Sequence, residues 1–348
     1  MTLRRFHGPW NLTDLATVPK NGLTAFSCFH CGGGSTMGYK LAGFNMLGGV
    51  EIDPKMMTMY RANHKPKHSY LMGVQQFNEL PLLSLPDELK NLDLLDGSPP
   101  CSVFSMAGSR KKKWGSEHHF REGQQKQRLD DLFMHFIEVG QRLQPKVIVA
   151  ENVKGLILGN AKGYVKEIFA AFQEAGYDAQ LFLFNAARMG VPQTRERTFF
   201  IARRQDLSWN KLQIEMKENE IKIGSAIENA YLGSKVTWLT KEAKKLWQAV
   251  KPGESLSKAH PKGHRFNEYV ANPNMPLKTM TASALPIHWK EPRRFAEQEV
   301  CRVQSFPDDY SFGKQAAGYV CGMSVPPYMT QRVALEIGRQ WFGIQYDP

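Results

Sequence analysis

Over its first two hundred residues the chain alternates short apolar runs with helical stripes. Leu23 to Phe29, Val50 to Ile52, Leu94 and Leu95, Val147 to Val153, Leu181 to Phe184 and Thr198 to Ala202 are runs of strand length. Runs without polar alternation suit parallel strands covered on both faces. Between them, Leu132, Phe133, Phe136, Ile137 and Leu143 recur at the spacing of one helix face. Further helices are expected after Gly34, over 56–63 and over 163–175. The alternation fades after about Gln205, and 206–290 is rich in Lys, Pro, Asn and short polar runs. A last helix, from about Tyr328, carries Met329, Val333 and Ile337 on one face and is expected to pack back on the large unit. The pattern predicts an α/β protein with a mainly parallel, doubly wound sheet formed by 21–205 and 322–348. It also predicts a smaller irregular domain at 206–321 and an irregular arm at 1–20.

Four of the runs end in residues that carry chemistry. The first leads into Cys31-Gly32-Gly33-Gly34, and a strand, glycine turn and helix open a nucleotide-binding unit. About twenty positions on, the second run ends in Glu51-Ile52-Asp53, where a carboxylate suits the ribose hydroxyls of a nucleotide. Asp53 before Pro54 also reads as a helix N-cap, which leaves Glu51 for the ribose. The third ends at Pro99-Pro100-Cys101: proline stops the ladder, and a thiol just beyond stands at the carboxyl edge where open α/β sheets bind ligands. Glu151 ends a later strand at the same edge, so an acid and a nucleophile can meet there. Arg195 and Arg197 alternate on a further strand and can share one face. Cys28 and Cys31 have zinc-like spacing, but no second Cys or His pair stands at finger distance, so no metal is expected.

Charge adds a partner to this picture. The 348 residues carry a net charge of +12, with 42% hydrophobic and 22% charged residues, which suits a globule attracted to a polyanion such as nucleic acid. The basic, aromatic stretch 108–123, bracketed by glycine and placed directly after Cys101, reads as a lid over nucleic acid. Five cysteines make no disulfide framework, and no run approaches a membrane span. A cytoplasmic monomer without membrane contact is expected.

Taken in order, Pro99-Pro100-Cys101 with Phe104-Ser105, Glu151-Asn152-Val153, Gln193-Thr194-Arg195-Glu196-Arg197, and Arg302 to Tyr310 before Gly322 resemble the DNA (cytosine-5) methyltransferase family of bacterial or phage type. The resemblance covers about 23–204 and 291–340. It implies transfer of a methyl group from S-adenosylmethionine to carbon 5 of a cytosine flipped out of a specific sequence in double-stranded DNA. Cys101 would add to carbon 6, Glu151 would bond the ring, and Arg197 and Arg195 would hold the ring oxygen and orient the carboxylate. The cofactor would lie against Phe29, Gly33, Gly34, Glu51, Ile52, Pro100 and Ser324. The DNA would meet Ser105, Arg110, Lys111, Asn152, Gln193 and Thr279, the last in a segment, Pro276 to Thr281, like the family's short Thr-containing one. The chain departs from the family pattern at Cys31, Val74 and Met323, all on the cofactor side. A transfer-RNA cytosine-5 methyltransferase, a catalytically weak DNA-binding regulator and a dehydrogenase on the same nucleotide-binding unit are the competing readings. The long stretch uncovered by the resemblance favours DNA, and the Cys101 and Arg197 motifs have no use in a dehydrogenase.

Overall fold

The computed structural model describes residues 3–100, 117–118, 127–128, 131–158, 162–233, 236–282 and 284–347. Its centre is a seven-stranded sheet of β1 (Thr24–Cys28), β2 (Asn45–Glu51), β3 (His68–Leu71), β4 (Leu94–Gly97), β5 (Val147–Val153), β6 (Tyr177–Asn185) and β7 (Glu196–Arg204). The spatial order is β3-β2-β1-β4-β5-β7-β6, parallel except that β7 runs antiparallel to both neighbours. The expected mainly parallel sheet is present. Strand β3 lies in a stretch with no apolar run and was not legible in the pattern. Its partner β2 begins at Asn45, five residues before the apolar run at Val50, because Gly48 and Gly49 dilute its hydrophobicity.

Alternate residues on each strand feed two cores, as the period of two requires. Ala25, Leu94, Val147, Val149, Phe199 and Ile201 face one. Phe26, Leu95, Ile148, Ala150, Phe200 and Ala202 face the other. The first core is closed by α1 (Gly34–Leu41) and the last long helix (Pro327–Phe342), which is buried nearly all round. The second is closed by α2 (Val74–Glu79), α3 (Leu132–Leu143) and α4 (Lys162–Glu174). The helical stripe read from Leu132, Phe133, Phe136, Ile137 and Leu143 is entirely buried. Glu117–His118 pairs antiparallel with Gln127–Arg128.

The N-terminal arm is tied down rather than loose. Leu3–Arg4 pairs with Tyr346–Asp347, Trp10 Nε1 donates to Ser305 O (2.9 Å), and Tyr328 donates its hydroxyl to Gly8 O (2.6 Å). Residues 206–222 also lie on the large core: Leu212 is buried there, Trp209 stacks on Trp341, and Glu218 pairs with the buried Arg332 at 3.0 Å. A separate small core holds Ala243, Leu256, Val270 and Ile287, with Trp247 and Trp289 against it. Residues 295–312 return to the large core through Phe295, Val300, Phe306 and Tyr310. No helix of the described residues is long and apolar enough to cross a membrane.

Where the small core meets the large one, Arg293 and Glu299, both 2% exposed, form a two-pronged ion pair at 2.7 and 2.9 Å. Glu299 also accepts the amide of Ala296 (2.7 Å), so this carboxylate caps the helix Glu297–Val303. Removing one partner strands a buried charge. Arg293→Met is expected to lower stability by about 3–5 kcal/mol in urea denaturation, and Arg293→Met with Glu299→Leu by less than the single change.

Candidate functional site

The carboxyl edge of the sheet gathers the chemistry. Register sets Phe199 opposite Glu151, so Arg197, two residues earlier on β7, lies on the same face as Glu151 and diagonal to it. Arg197 Nε contacts Glu151 Oε1 at 2.9 Å, with both side chains largely buried. Burial pushes the Arg197 guanidinium pKa down, and the Glu151 charge pulls it back up. Arg197 Nη1 also donates to Glu196 O (2.8 Å), which fixes the plane of the fork. One strand away, Asn152 Nδ2 donates to Pro99 O (3.1 Å), binding the end of β5 to the turn Pro99-Pro100 that follows β4. Cys101, Ser105, Arg110, Lys111 and most of the 108–123 stretch lie outside the described residues. Pro100, half-buried, is the last described residue before them.

Geometry revises four expectations. Arg195 does not share the face of Arg197. It is buried, and its Nη1 donates to Met280 O (3.1 Å) while Nη2 donates to Gly322 O (2.9 Å) and Ser324 O (3.1 Å). It sits before β7 starts, so strand alternation does not apply to it. Gln193 is fully buried and cannot meet DNA: it donates to Val303 O and Gln304 Oε1 and accepts from Met280 N. Asn152 is a brace for Pro99 rather than a DNA contact, since its amide is consumed inside. Ser324 donates its buried hydroxyl to Val320 O (2.8 Å) and supports the glycine loop from beneath. Thr279 is exposed, its hydroxyl donated to Thr194 O (2.8 Å).

The cofactor-side residues form a cleft at the ends of β1 and β2. Phe29, Ile52 and Val74 line one pocket together with Cys28, Val50, Met72 and Gly73. Phe29 and Cys31 hold positive φ angles of 56° and 47°, an uncommon conformation for side chains with a Cβ. Glu51 stabilises this loop: its two oxygens accept the amides of Cys31 (3.0 Å) and Asp53 (2.9 Å). Burial pushes the Glu51 carboxyl up, and those two amides oppose the shift. Asp53 caps the helix Pro54–His64, accepting from Lys55 N at 2.8 Å. Gly33, with φ of 74°, precedes α1, and a Cβ on Gly34 would stand 2.1 Å from Val325 O. Only glycine lets this helix start so close to the 324–325 turn, and its first-turn amides stay free of intrahelical acceptors. An apolar slot, a buried carboxylate on the strand between Val50 and Ile52 of its lining, and a helix N-terminus fit the adenine, ribose and methionine carboxylate of S-adenosylmethionine. Of the departures, Val74 lines the slot, Cys31 Sγ lies 3.7 Å from Met56 Sδ, and Met323 points to solvent.

Sequence reasoning passed over Asp96. Inside β4 it accepts hydrogen bonds from Ser27 (2.7 Å), Ser35 (2.7 Å) and Tyr39 (3.2 Å), joining β1 to the first turns of α1. An acid within an otherwise apolar run was the available signal. Behind the loop, His30 stacks on Tyr60 with centroids 3.6 Å apart, and burial pushes the His30 imidazole down to about 3, so it is neutral.

A family model described as C-5 cytosine-specific DNA methylase matches residues 23–339. Type II methyltransferase M1.HphI of Haemophilus parahaemolyticus is 30% identical over 338 residues, covering 90% of this chain and 86% of its own length. Type II methyltransferase M.NgoPII of Neisseria gonorrhoeae is 27% identical over 360 residues, covering 91% of this chain and 96% of its own. Among solved structures, a prophage-encoded Escherichia coli chain provisionally described as a DNA modification methyltransferase superposes with a TM-score of 0.73 at 21% identity, covering 92% of this chain and 99% of that one. The Dnmt2 methyltransferase of S. pombe gives 0.62 at 16% identity, covering 90% and 98%. At these identities the structural likenesses show the fold.

Burial, ahead of the three opposing hydrogen bonds, raises the Asp96 carboxyl to about 6 from an ordinary 3.8. The folded protein therefore binds this proton more tightly than the unfolded chain does. The stability Asp96 contributes is full below pH 4 and is lost as pH rises through about 6, an effect of about 3 kcal/mol. Asp96→Asn abolishes that part of the pH dependence. The difference between wild-type and variant unfolding free energies should slope between pH 4 and 7 and be flat above, as measured by denaturation across that range.

Proposed function

Because the chain belongs to the C-5 cytosine-specific DNA methylase family, whose members transfer methyl groups from S-adenosylmethionine, we propose that it methylates a cytosine extruded from duplex DNA through a covalent step at Cys101. Carbon 5 of cytosine is a poor nucleophile. Addition of the Cys101 thiolate at carbon 6 forms a C–S bond and pushes an electron pair toward carbon 5, giving an enamine-like ring. S-adenosylmethionine supplies an electrophilic methyl group held on sulfonium. Glu151 bonds ring N3 and the exocyclic amino group as charge builds there, and Arg197 holds the ring O2 and keeps the carboxylate aimed. Loss of the carbon 5 proton to water returns the electron pair, and the thiolate leaves with the C–S bond broken.

The observation that carries this reading is the 2.9 Å Arg197–Glu151 pair at the strand end braced to Pro99. An acid and a guanidinium, one residue along the strand from the Asn152–Pro99 contact, are the donors and acceptors a cytosine edge needs. Phe29, Ile52 and Val74 would hold the adenine, Glu51 the ribose, and the amides that open α1 the carboxylate. The unit with its own small core, about 237–294, would read the DNA sequence, and the relatives named Type II methyltransferases support sequence-specific modification.

Transfer of labelled methyl from S-adenosylmethionine to duplex DNA tests the proposal. Glu151→Gln is expected to lower kcat by about 10²–10⁴ while S-adenosylmethionine binding persists, since the acid acts on the base and not on the cofactor. Cys101→Ser should lose both transfer and covalent trapping on 5-fluorocytosine DNA. Transfer to transfer RNA with none to DNA would overturn the substrate assignment, and full activity in Cys101→Ser would overturn the covalent step.

A further inference from the structure

The small unit carries a feature that folding does not explain. Residues 258–267 leave and re-enter a two-stranded stem in which Leu256 N donates to Glu268 O (2.7 Å) and Val270 N to Glu254 O (2.9 Å). At the return of this loop Phe266 is 79% exposed. Burying a phenylalanine gains roughly 1.5–3 kcal/mol, so a ring left in water is informative when its backbone is fixed there. This backbone is fixed. Ser255 Oγ lies within hydrogen-bond distance of both Arg265 O (3.1 Å) and Phe266 O (2.8 Å). Arg265, at a positive φ of 68°, pairs with Glu268 (2.9 Å) and Glu242 (3.3 Å). Gly263 N donates to His260 O (2.9 Å), and the rings of His260 and His264 stack 5.0 Å apart.

Charge tells what the ring faces. The loop contains Lys258, His260, Lys262, His264 and Arg265 and no acid. Glu254 takes up Lys258, and Glu242 and Glu268 take up Arg265, which leaves Lys262 exposed and outside ion-pair range of any carboxylate among the described residues. An exposed aromatic ring on a loop with a free cation is the composition that meets bases and phosphates. The stem also leads to the catalytic edge. Tyr269, next to Glu268, donates its hydroxyl to Lys278 O (3.2 Å). Lys278 in turn pairs with Thr194, the residue before Arg195.

We propose that Phe266 inserts at an unstacked step of the DNA duplex near the target cytosine and stacks on the base exposed there, with Lys262 contacting phosphate, so that the 258–267 loop positions the substrate. This rests on the DNA methyltransferase reading above. The test uses the full chain, S-adenosylmethionine at saturation, and a duplex bearing the site found by bisulfite sequencing of host DNA. Phe266→Ala is expected to lower kcat/KM for DNA about tenfold or more, and Phe266→Trp to retain most of it, because stacking tolerates any π face. S-adenosylmethionine affinity and Tm should not change in either. Lys262→Ala should weaken DNA binding and reduce the slope of log affinity against log salt by about 1. A Phe266→Ala enzyme with wild-type kcat/KM overturns the proposal. So does a loss that Phe266→Trp fails to restore and that comes with a lowered Tm, which marks a structural role. So does an oligomer that Phe266→Ala dissolves with DNA kinetics intact, which marks a self-association face. Absence of methyl transfer to DNA by the wild-type chain overturns the underlying reading instead, and this proposal with it.

Discussion

Everything at the carboxyl edge of the sheet depends on the direction of one strand. In a fully parallel sheet the first residues of β7 would lie at the amino edge, far from the end of β5. Because β7 runs antiparallel, its start stands beside the finish of β5, and Arg197 meets Glu151 within one sheet. Placing β7 between β5 and β6 then requires β6 and β7 to be joined by the short connection 186–195 at the carboxyl edge. That connection carries Gln193 and Arg195, so the reversal that creates the ion pair also brings the motif around it to the site.

The buried polar groups of that motif explain how distant segments are held to the edge. Arg195 has carbonyl oxygens from Met280, Gly322 and Ser324 as acceptors, and Gln193 is bonded to Val303, Gln304 and Met280. An arginine in so dry a place is tolerated only with such partners, and a buried amide left unbonded would cost more than it contributes. The result is a latch joining the 276–281 segment, the helix Glu297–Val303 and the turn under the glycine loop to one point of the sheet. The cofactor cleft and the small unit are thereby mechanically linked through buried side chains.

Strands with uninterrupted apolar runs were legible, as were the helix stripe from Leu132 and the N-cap at Asp53, because one local pattern determines each. Strand β3, His68–Leu71, was not, since at the edge of the sheet its residues are only half-buried and need no apolar signature. For the site, residue type and order pointed to Glu151 and Arg197, and the structure brings them into contact. Residue type and order could not distinguish Arg197 from Arg195, or an exposed Asn152 from a buried one, because those differences arise from long-range contacts, with residues 280–324 for Arg195 and with Pro99 for Asn152. Asp96 was overlooked for the opposite reason: its partners Ser27, Ser35 and Tyr39 are distant in sequence and individually unremarkable.

Cysteine shows how the same fold separates structure from chemistry. Burial drives the thiols of Cys28 and Cys321 far above their ordinary range and that of Cys31 up to about 12. Carboxylates nearby push in the same direction, Asp96 and Glu51 on Cys28 and Glu51 on Cys31. These sulfurs remain protonated and serve as packing, Cys31 lying beside Met56. A thiolate needs the reverse surroundings, a cation close by and access to solvent. At the strand edge where Asn152 braces Pro99, Arg197 is paired with Glu151. The chain thus withholds nucleophilicity from the cysteines around its cofactor cleft.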